Sequence, residues 1–183
     1  SKHAPIPMSK DLPNGYAIME DNVAIEWNIP VSTSLDEFIR GVETANKGVE
    51  KIVTSLGLSL SDKASLHFAK TELASKQAQE FGCEPDYNAW TQEENPRPEC
   101  NNPFLRTAGG HIHVGSELNM IEGVRAMDLY LGVPSILMDN SPEAMERRKL
   151  YGKAGAFRPK PYGWEYRTLS PFWTLNKKYI EWV

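Results

Sequence analysis

Cysteine is scarce in this sequence: Cys83 and Cys100 are the only two in 183 residues, and they form no CxxC pair. That excludes a disulfide framework and a cysteine zinc site, and two reduced thiols in a reducing compartment are expected. Long apolar runs are missing too. None approaches the roughly 18–20 residues that cross a bilayer, and Ser1-Lys2-His3-Ala4-Pro5 lacks the pattern of a secretory signal. A cytoplasmic location with no membrane partner follows as the expectation. There is no basic excess either: 20 Lys and Arg stand against 24 Asp and Glu, for a formal charge of −4. Nucleic acid is therefore not an expected partner. Internal repeats and low-complexity segments are absent, while 40% hydrophobic and 24% charged residues suit one globular domain over 1–183.

What is present reads as mixed helix and strand. Residues 16–29 alternate, with Val23, Ile25 and Trp27 opposite Ala24, Glu26 and Asn28, and predict one strand ended by Pro30. Ser34 and Glu37 form a capping box. Leu35, Phe38, Val42, Ala45, Val49, Ile52 and Leu56 then recur at helical spacing up to Gly57, a long amphipathic helix whose apolar stripe needs a sheet to cover it. Short strands are expected at 58–60 and 65–68, and a helix over 71–81 closed by Gly82. Residues 83–103 read as a long ordered loop. A glycine-flanked strand occupies 105–115 and a helix 120–131. A second helix is capped by Ser141 with Pro142 at its first position, and its basic end, Arg147-Arg148-Lys149, suits the helix dipole and a watery setting. Strand texture returns from Ala156 to Phe172, and helix from Asn176.

Chemistry-bearing residues cluster in the second half. His111 and His113 are two apart on a strand and so share a face, where two imidazoles can hold a metal or a phosphate, or act as ordinary hydrogen-bonded histidines. Gly109, Gly110 and Gly115 beside them allow close approach of a ligand or backbone. Glu165 and Arg167 repeat the spacing. Their aromatic setting of Tyr162, Trp164, Tyr166, Phe172 and Trp173 makes a solvated ion pair the weaker reading. Lys153, Arg158 and Lys160, with Arg147 and Arg148, give a cationic stretch, either a solvated face or an oxyanion pocket. It is not a phosphate-cradling P-loop, because Ala154 follows Gly152-Lys153. Glu20 and Glu26 are an even number of residues apart, which in a regular strand puts both on one face. With the histidines they would suit magnesium or manganese better than zinc; the other reading is that these acids only solubilise a sheet edge.

Four segments together resemble a known family: DNVAIEWNIP (21–30), FGCEPDYNAW (81–90), RTAGGHIHVG (106–115) and YGKAGAFRPKPYGWEYRTLSPFW (151–173). The chain is similar to the phage-encoded carboxylate–amine ligases of the second type, amidoligases in the glutamine synthetase and glutamate–cysteine ligase superfamily. The resemblance implies an α+β fold, with a curved, mostly antiparallel sheet of the glutamine-synthetase type and helices packed on one face. It implies an ATP-dependent carboxylate–amine ligase that forms an amide through an acyl phosphate. By likeness His111 and Glu165 ligate one Mg2+ or Mn2+ and Glu26 with Glu20 another. Arg158, Lys153 and His113 hold ATP, and Arg167 steadies the transferred phosphoryl or the carboxylate. Expected partners are small-molecule or peptide carboxylates and amines, with a homo-oligomer or phage virion proteins as assemblies. The family's first acidic strand and C-terminal end are not found in these residues. The competing reading is a non-catalytic descendant serving as a phage virion or interaction protein, so the expected location is the host cytoplasm or the virion; a metal-dependent hydrolase is weaker, since no carboxylate stands at metalloprotease spacing from the histidines.

Overall fold

The protein is described here by a computed structural model covering residues 6, 11–21, 23–75, 78 and 85–183. The chain packs into two compact units, one of residues 1–62, 69–79 and 173–183 and one of 63–68 and 80–172. Every strand pairing is antiparallel and helices accompany the sheets, an α+β architecture. Among the described residues no helix is long and apolar enough to cross a membrane.

The first unit is a hairpin against a helix. Strands β1 (Ala17–Asp21) and β2 (Ala24–Asn28) pair with Glu20 opposite Ile25 and Met19 opposite Glu26. The single strand expected over 16–29 is thus two strands, with Asp21 paired to Ala24 where the chain turns back. Helix α1 (Leu35–Ser55) starts at Ser34, whose side chain accepts from the Glu37 N–H, while Glu37 reaches back to the Thr33 N–H at 2.9 Å. It stops as Gly57 turns to φ +70° and Leu58 N–H bonds the Val53 carbonyl at 2.9 Å, the glycine-terminated end that the pattern predicted. Val49, Ile52 and Val53 of α1 bury against Ile18, with Leu12, Ile25, Trp27 and Leu60 around them. The C-terminal helix α5 (Lys177–Trp182) belongs to the same unit, where Trp173 stacks on Phe38. Residues 58–60 form no strand, and 71–73 are a turn. Residues 76, 77 and 79–81 of the helix expected there, with Gly82 and Cys83, lie outside the described residues.

The second unit carries the larger sheet. Its order is β4 (Tyr87–Asn88), β7 (Ala156–Lys160), β8 (Gly163–Tyr166), β6 (Ile112–Gly115). A separate pair joins β3 (Ser65–His67) to β5 (Leu105–Thr107). β8 is central, so each of its residues has a neighbour on both sides: Glu165 faces His113 and Arg158, and Tyr166 faces Ile112 and Phe157. Alternation therefore gives the sheet one polar face and one apolar face. Helix α2 (Met120–Met127) covers the apolar face, where the Trp164 indole N–H donates to Met127 Sδ at 3.3 Å. The helix expected over 120–131 continues through a π-helical turn, Asp128–Gly132, into α3 (Val133–Met138). Helix α4 (Pro142–Leu150) is capped by Ser141 as predicted and held to β3, where Ser65 Oγ donates to Glu146 at 2.8 Å and His67 Nε2 meets the same carboxylate at 3.1 Å.

Candidate functional site

The polar face of the four-stranded sheet is organised around one buried carboxylate. Glu165 is 3% exposed, and its two oxygens are surrounded by cations. Oε2 lies 3.2 Å from Arg158 Nη1 and 3.2 Å from Lys160 Nζ. Oε1 takes His111 Nδ1 at 3.1 Å and the Arg167 guanidinium. The spacing explains the convergence: Arg158 stands opposite Glu165, Lys160 is two residues further along β7, and Arg167 is two residues beyond Glu165, just past the end of β8. His111 immediately precedes β6, where continuing the register sets it opposite Arg167. Arg167 is itself 7% exposed, and its Nε donates to Asp86 at 3.3 Å.

The protonation states follow from these contacts. Burial alone would raise the Glu165 carboxyl, but the hydrogen bond from His111 and the nearby Arg167 and Arg158 hold it far below the usual carboxylate range. Burial pushes His111 down to about 4; Glu165 opposes this, and Arg167 and Arg147 reinforce it. At neutral pH the imidazole is thus neutral, and because an ionised carboxylate only accepts, Nδ1 carries its proton. The Arg167 Nη1 atom, 3.4 Å from Nδ1, is then a second donor aimed at the same carboxylate. Nε2 is left as the ring's lone-pair nitrogen, and a side chain at Gly109 would come within 2.5 Å of it. The close approach expected at the glycines is made here by the protein's own imidazole.

Both groups lose protons on folding, so the sign of their pH dependence is shared. Between about 6.5 and 4 the unfolded chain holds a proton at residue 111 that the folded chain does not, and stability falls as pH falls through that window. Glu165 contributes fully above the unfolded carboxylate range and loses that contribution as pH drops below it. The His111 side chain keeps 30% exposure, so its share falls short of the roughly 3 kcal/mol that such a shift could carry. Urea midpoints measured from pH 7 to 4 should decline in wild type and flatten in His111→Gln; parallel slopes would rule out a buried neutral imidazole.

The other expected site residues fall elsewhere. His113 is exposed on the same face, and its Nδ1 meets the Tyr162 hydroxyl at 2.6 Å. Lys153 is exposed in the turn before β7, and its carbonyl accepts from Thr168 Oγ1 at 3.1 Å. Glu20 and Glu26 do not share a face. In the hairpin register Glu20 pairs with Ile25 and Glu26 with Met19, so the two carboxylates point to opposite sides. They also belong to the two-stranded sheet of the other unit, not to the sheet of His111 and Glu165. Both Glu165 oxygens are taken by positive groups. Among the described residues no group of three or more His, Cys, Asp or Glu is placed to hold a metal.

Sequence reasoning missed Asp86 and misplaced Arg147. Asp86 comes from the segment read as a loop, just ahead of β4, and no periodicity marks it. Arg147, expected at a solvated helix end, is 2% exposed. Its spacing of three from the buried Ala144 was the available signal.

A family model described as phage phiEco32-like COOH.NH2 ligase-type 2 matches residues 102–181. The matched stretch contains β5 to β8 and every partner of Glu165, and it leaves out Asp86 and the hairpin with Glu20 and Glu26. No curated protein and no solved structure matches the chain.

Proposed function

We propose that this chain is an ATP-dependent carboxylate–amine ligase and that the face around Glu165 receives the phosphate groups of its substrates. The observation that carries the reading is the convergence of three cations on one face of a partly dry sheet. Arg158, Lys160 and Arg167 all meet the carboxylate of Glu165, and Arg167 also meets Asp86. Cations gathered this closely in one partly buried place suit the binding of an oxyanion. Planar guanidinium groups suit phosphate oxygens, which they can grip in pairs. The match to a ligase family over the same strands supports the same chemistry. A glutamine-synthetase-like sheet is part of the proposal.

ATP would supply the phosphoryl group that turns a substrate carboxylate into an acyl phosphate, which an amine then displaces. The chain's contribution is positioning and charge. Arg158 and Arg167 orient oxyanions, Lys160 adds a mobile positive charge, and Glu165 keeps the three cations together until an anion arrives. The substrates on this reading are a small-molecule or peptide carboxylate and an amine.

Calorimetric titration of ATP–Mg2+ tests the proposal. Arg158→Met should weaken binding by about 1.5–3 kcal/mol, roughly ten- to hundredfold. Arg167→Lys should lose part of that, since a point charge cannot reproduce the planar fork. Wild-type protein that binds neither ATP–Mg2+ nor pyrophosphate would move the assignment to a non-catalytic role.

A further inference from the structure

Arg147 is another buried guanidinium of this unit, and among the described residues it makes no ion pair with a carboxylate, although Asp139 and Asp86 are near enough to favour its charge. Its partners among the described residues are two backbone carbonyls: Nη1 donates to Thr168 O at 3.0 Å and Nη2 to Arg167 O at 3.4 Å. Burial lowers its pKa to about 10, with Arg167 and Arg148 pushing the same way, so it stays charged at neutral pH. Two glycines make room for it. Gly152 sits at φ +70°, where a side chain would collide with Nη1, and a side chain at Gly109 would come within 3.1 Å of Nη2. The same Gly109 lies against the His111 ring, so Arg147 stands near the histidine and grips the backbone just past β8.

A buried cation whose hydrogen bonds go to carbonyls is a poor choice for stability, because an apolar side chain of similar length would avoid the desolvation cost. What distinguishes this one is whose carbonyls it grips. They belong to the residue whose guanidinium meets Glu165 and to the next residue. Helix α4 is fixed from its other flank by β3, through Ser65 and His67 on Glu146. Arg147 then carries that fixed position across to the backbone at 167–168.

We infer that Arg147 is a positioning residue for the Glu165 cluster: by gripping the carbonyls of Arg167 and Thr168 it sets where the Arg167 guanidinium stands. It acts through Arg167 and needs no contact with a substrate. The inference rests on the proposed function only for its ligand measurement.

Two measurements on the full chain test it, using Arg147→Met and the milder Arg147→Lys, with melting curves to show which variants fold. The first is the Nε–H NMR signal of Arg167, identified by its loss in Arg167→Met. That proton is held by Asp86 in wild type, and in either Arg147 variant it should shift and exchange faster with water. The second is a double-mutant cycle on ATP–Mg2+ binding. Arg147→Met should weaken binding about tenfold, and adding it to Arg167→Met should cost almost nothing further, because both act through one group. A folded variant with a lowered melting temperature but an unchanged Arg167 signal would reduce Arg147 to a packing role and overturn the inference. Additive losses in the cycle would overturn it as well. If wild type does not bind ATP–Mg2+, the ligase reading fails, and the Arg167 signal still decides this one.

Discussion

Glu165→Gln should destabilise the protein by about 3–5 kcal/mol, the cost of removing one partner from a buried, multiply paired charge. The substitution keeps shape and volume but removes the negative charge that Arg158, Lys160 and Arg167 share. It also turns an amide N–H toward groups that can only donate. A domain of this size has about 5–15 kcal/mol of stability in all, so the loss is large enough to read directly from urea midpoints. Phosphate or pyrophosphate should restore part of it, because an added anion can stand between the cations that Glu165 no longer neutralises. Glu117→Gln, on an exposed residue, should change stability by less than about 0.5 kcal/mol. A Glu165 loss as small as that of Glu117 would mean the cations are solvated separately, and the case for an anion-binding face would fall with it.

The features legible in the sequence were those governed by strict alternation. Arg158, Glu165 and Arg167 lie on one face because β7 and β8 are regular and join through a tight turn, so residues two apart share a side. The HxH pair landed on the same face for the same reason, although His111 and not His113 engages Glu165. Parity failed where the chain reversed unseen. Asn22-Val23 lacks the glycine that usually marks a two-residue hairpin, and the alternation runs on smoothly across it. A reversal between Asp21 and Ala24 moves Glu20 and Glu26 to opposite faces, so their even spacing no longer sets them on one side. Arg147 shows a second limit. A triple basic run at a helix end has the composition of a wet surface, and burial is decided by β3 and the backbone at 167–168, which are distant in sequence. Asp86 shows a third, since a side chain presented just outside a two-residue strand leaves no period to detect.

The apolar side of the same sheet depends on a buried carboxylate that no pattern announced. Asp128 opens the π-helical turn between α2 and α3 and is 2% exposed. Its Oδ1 accepts from the Tyr166 hydroxyl at 2.7 Å and from Thr168 Oγ1 at 3.4 Å, and its Oδ2 from the Trp90 indole at 2.5 Å. Burial, with Asp128 beside it, raises the Tyr166 pKa far above the usual phenol range, so the hydroxyl remains a donor at any working pH. The π turn itself brings Gly132 against that hydroxyl, where a side chain would sit 2.5 Å from it. The wider turn therefore has a physical consequence: it carries Asp128 to Tyr166, next to Glu165 on the opposite face of the sheet.

Removing that carboxylate should be nearly as damaging as removing Glu165. Asp128→Ala gives up two short charge-assisted hydrogen bonds and leaves the Tyr166 hydroxyl buried without its acceptor, a loss of about 3–5 kcal/mol. Tyr166→Phe removes one of those bonds and should cost about 1–3 kcal/mol. The two residues form one contact, so in the double variant Tyr166→Phe should add little, giving a coupling energy close to its own single loss. Urea unfolding of the four proteins measures this directly. A coupling near zero would mean Asp128 stabilises the turn through Trp90 alone and that β8 is held by apolar packing under Trp164. A large coupling would show that the strand bearing Glu165 and Arg167 is fixed from beneath by a hydrogen bond. The anion-binding face would then owe its geometry to a carboxylate on the far side of the sheet.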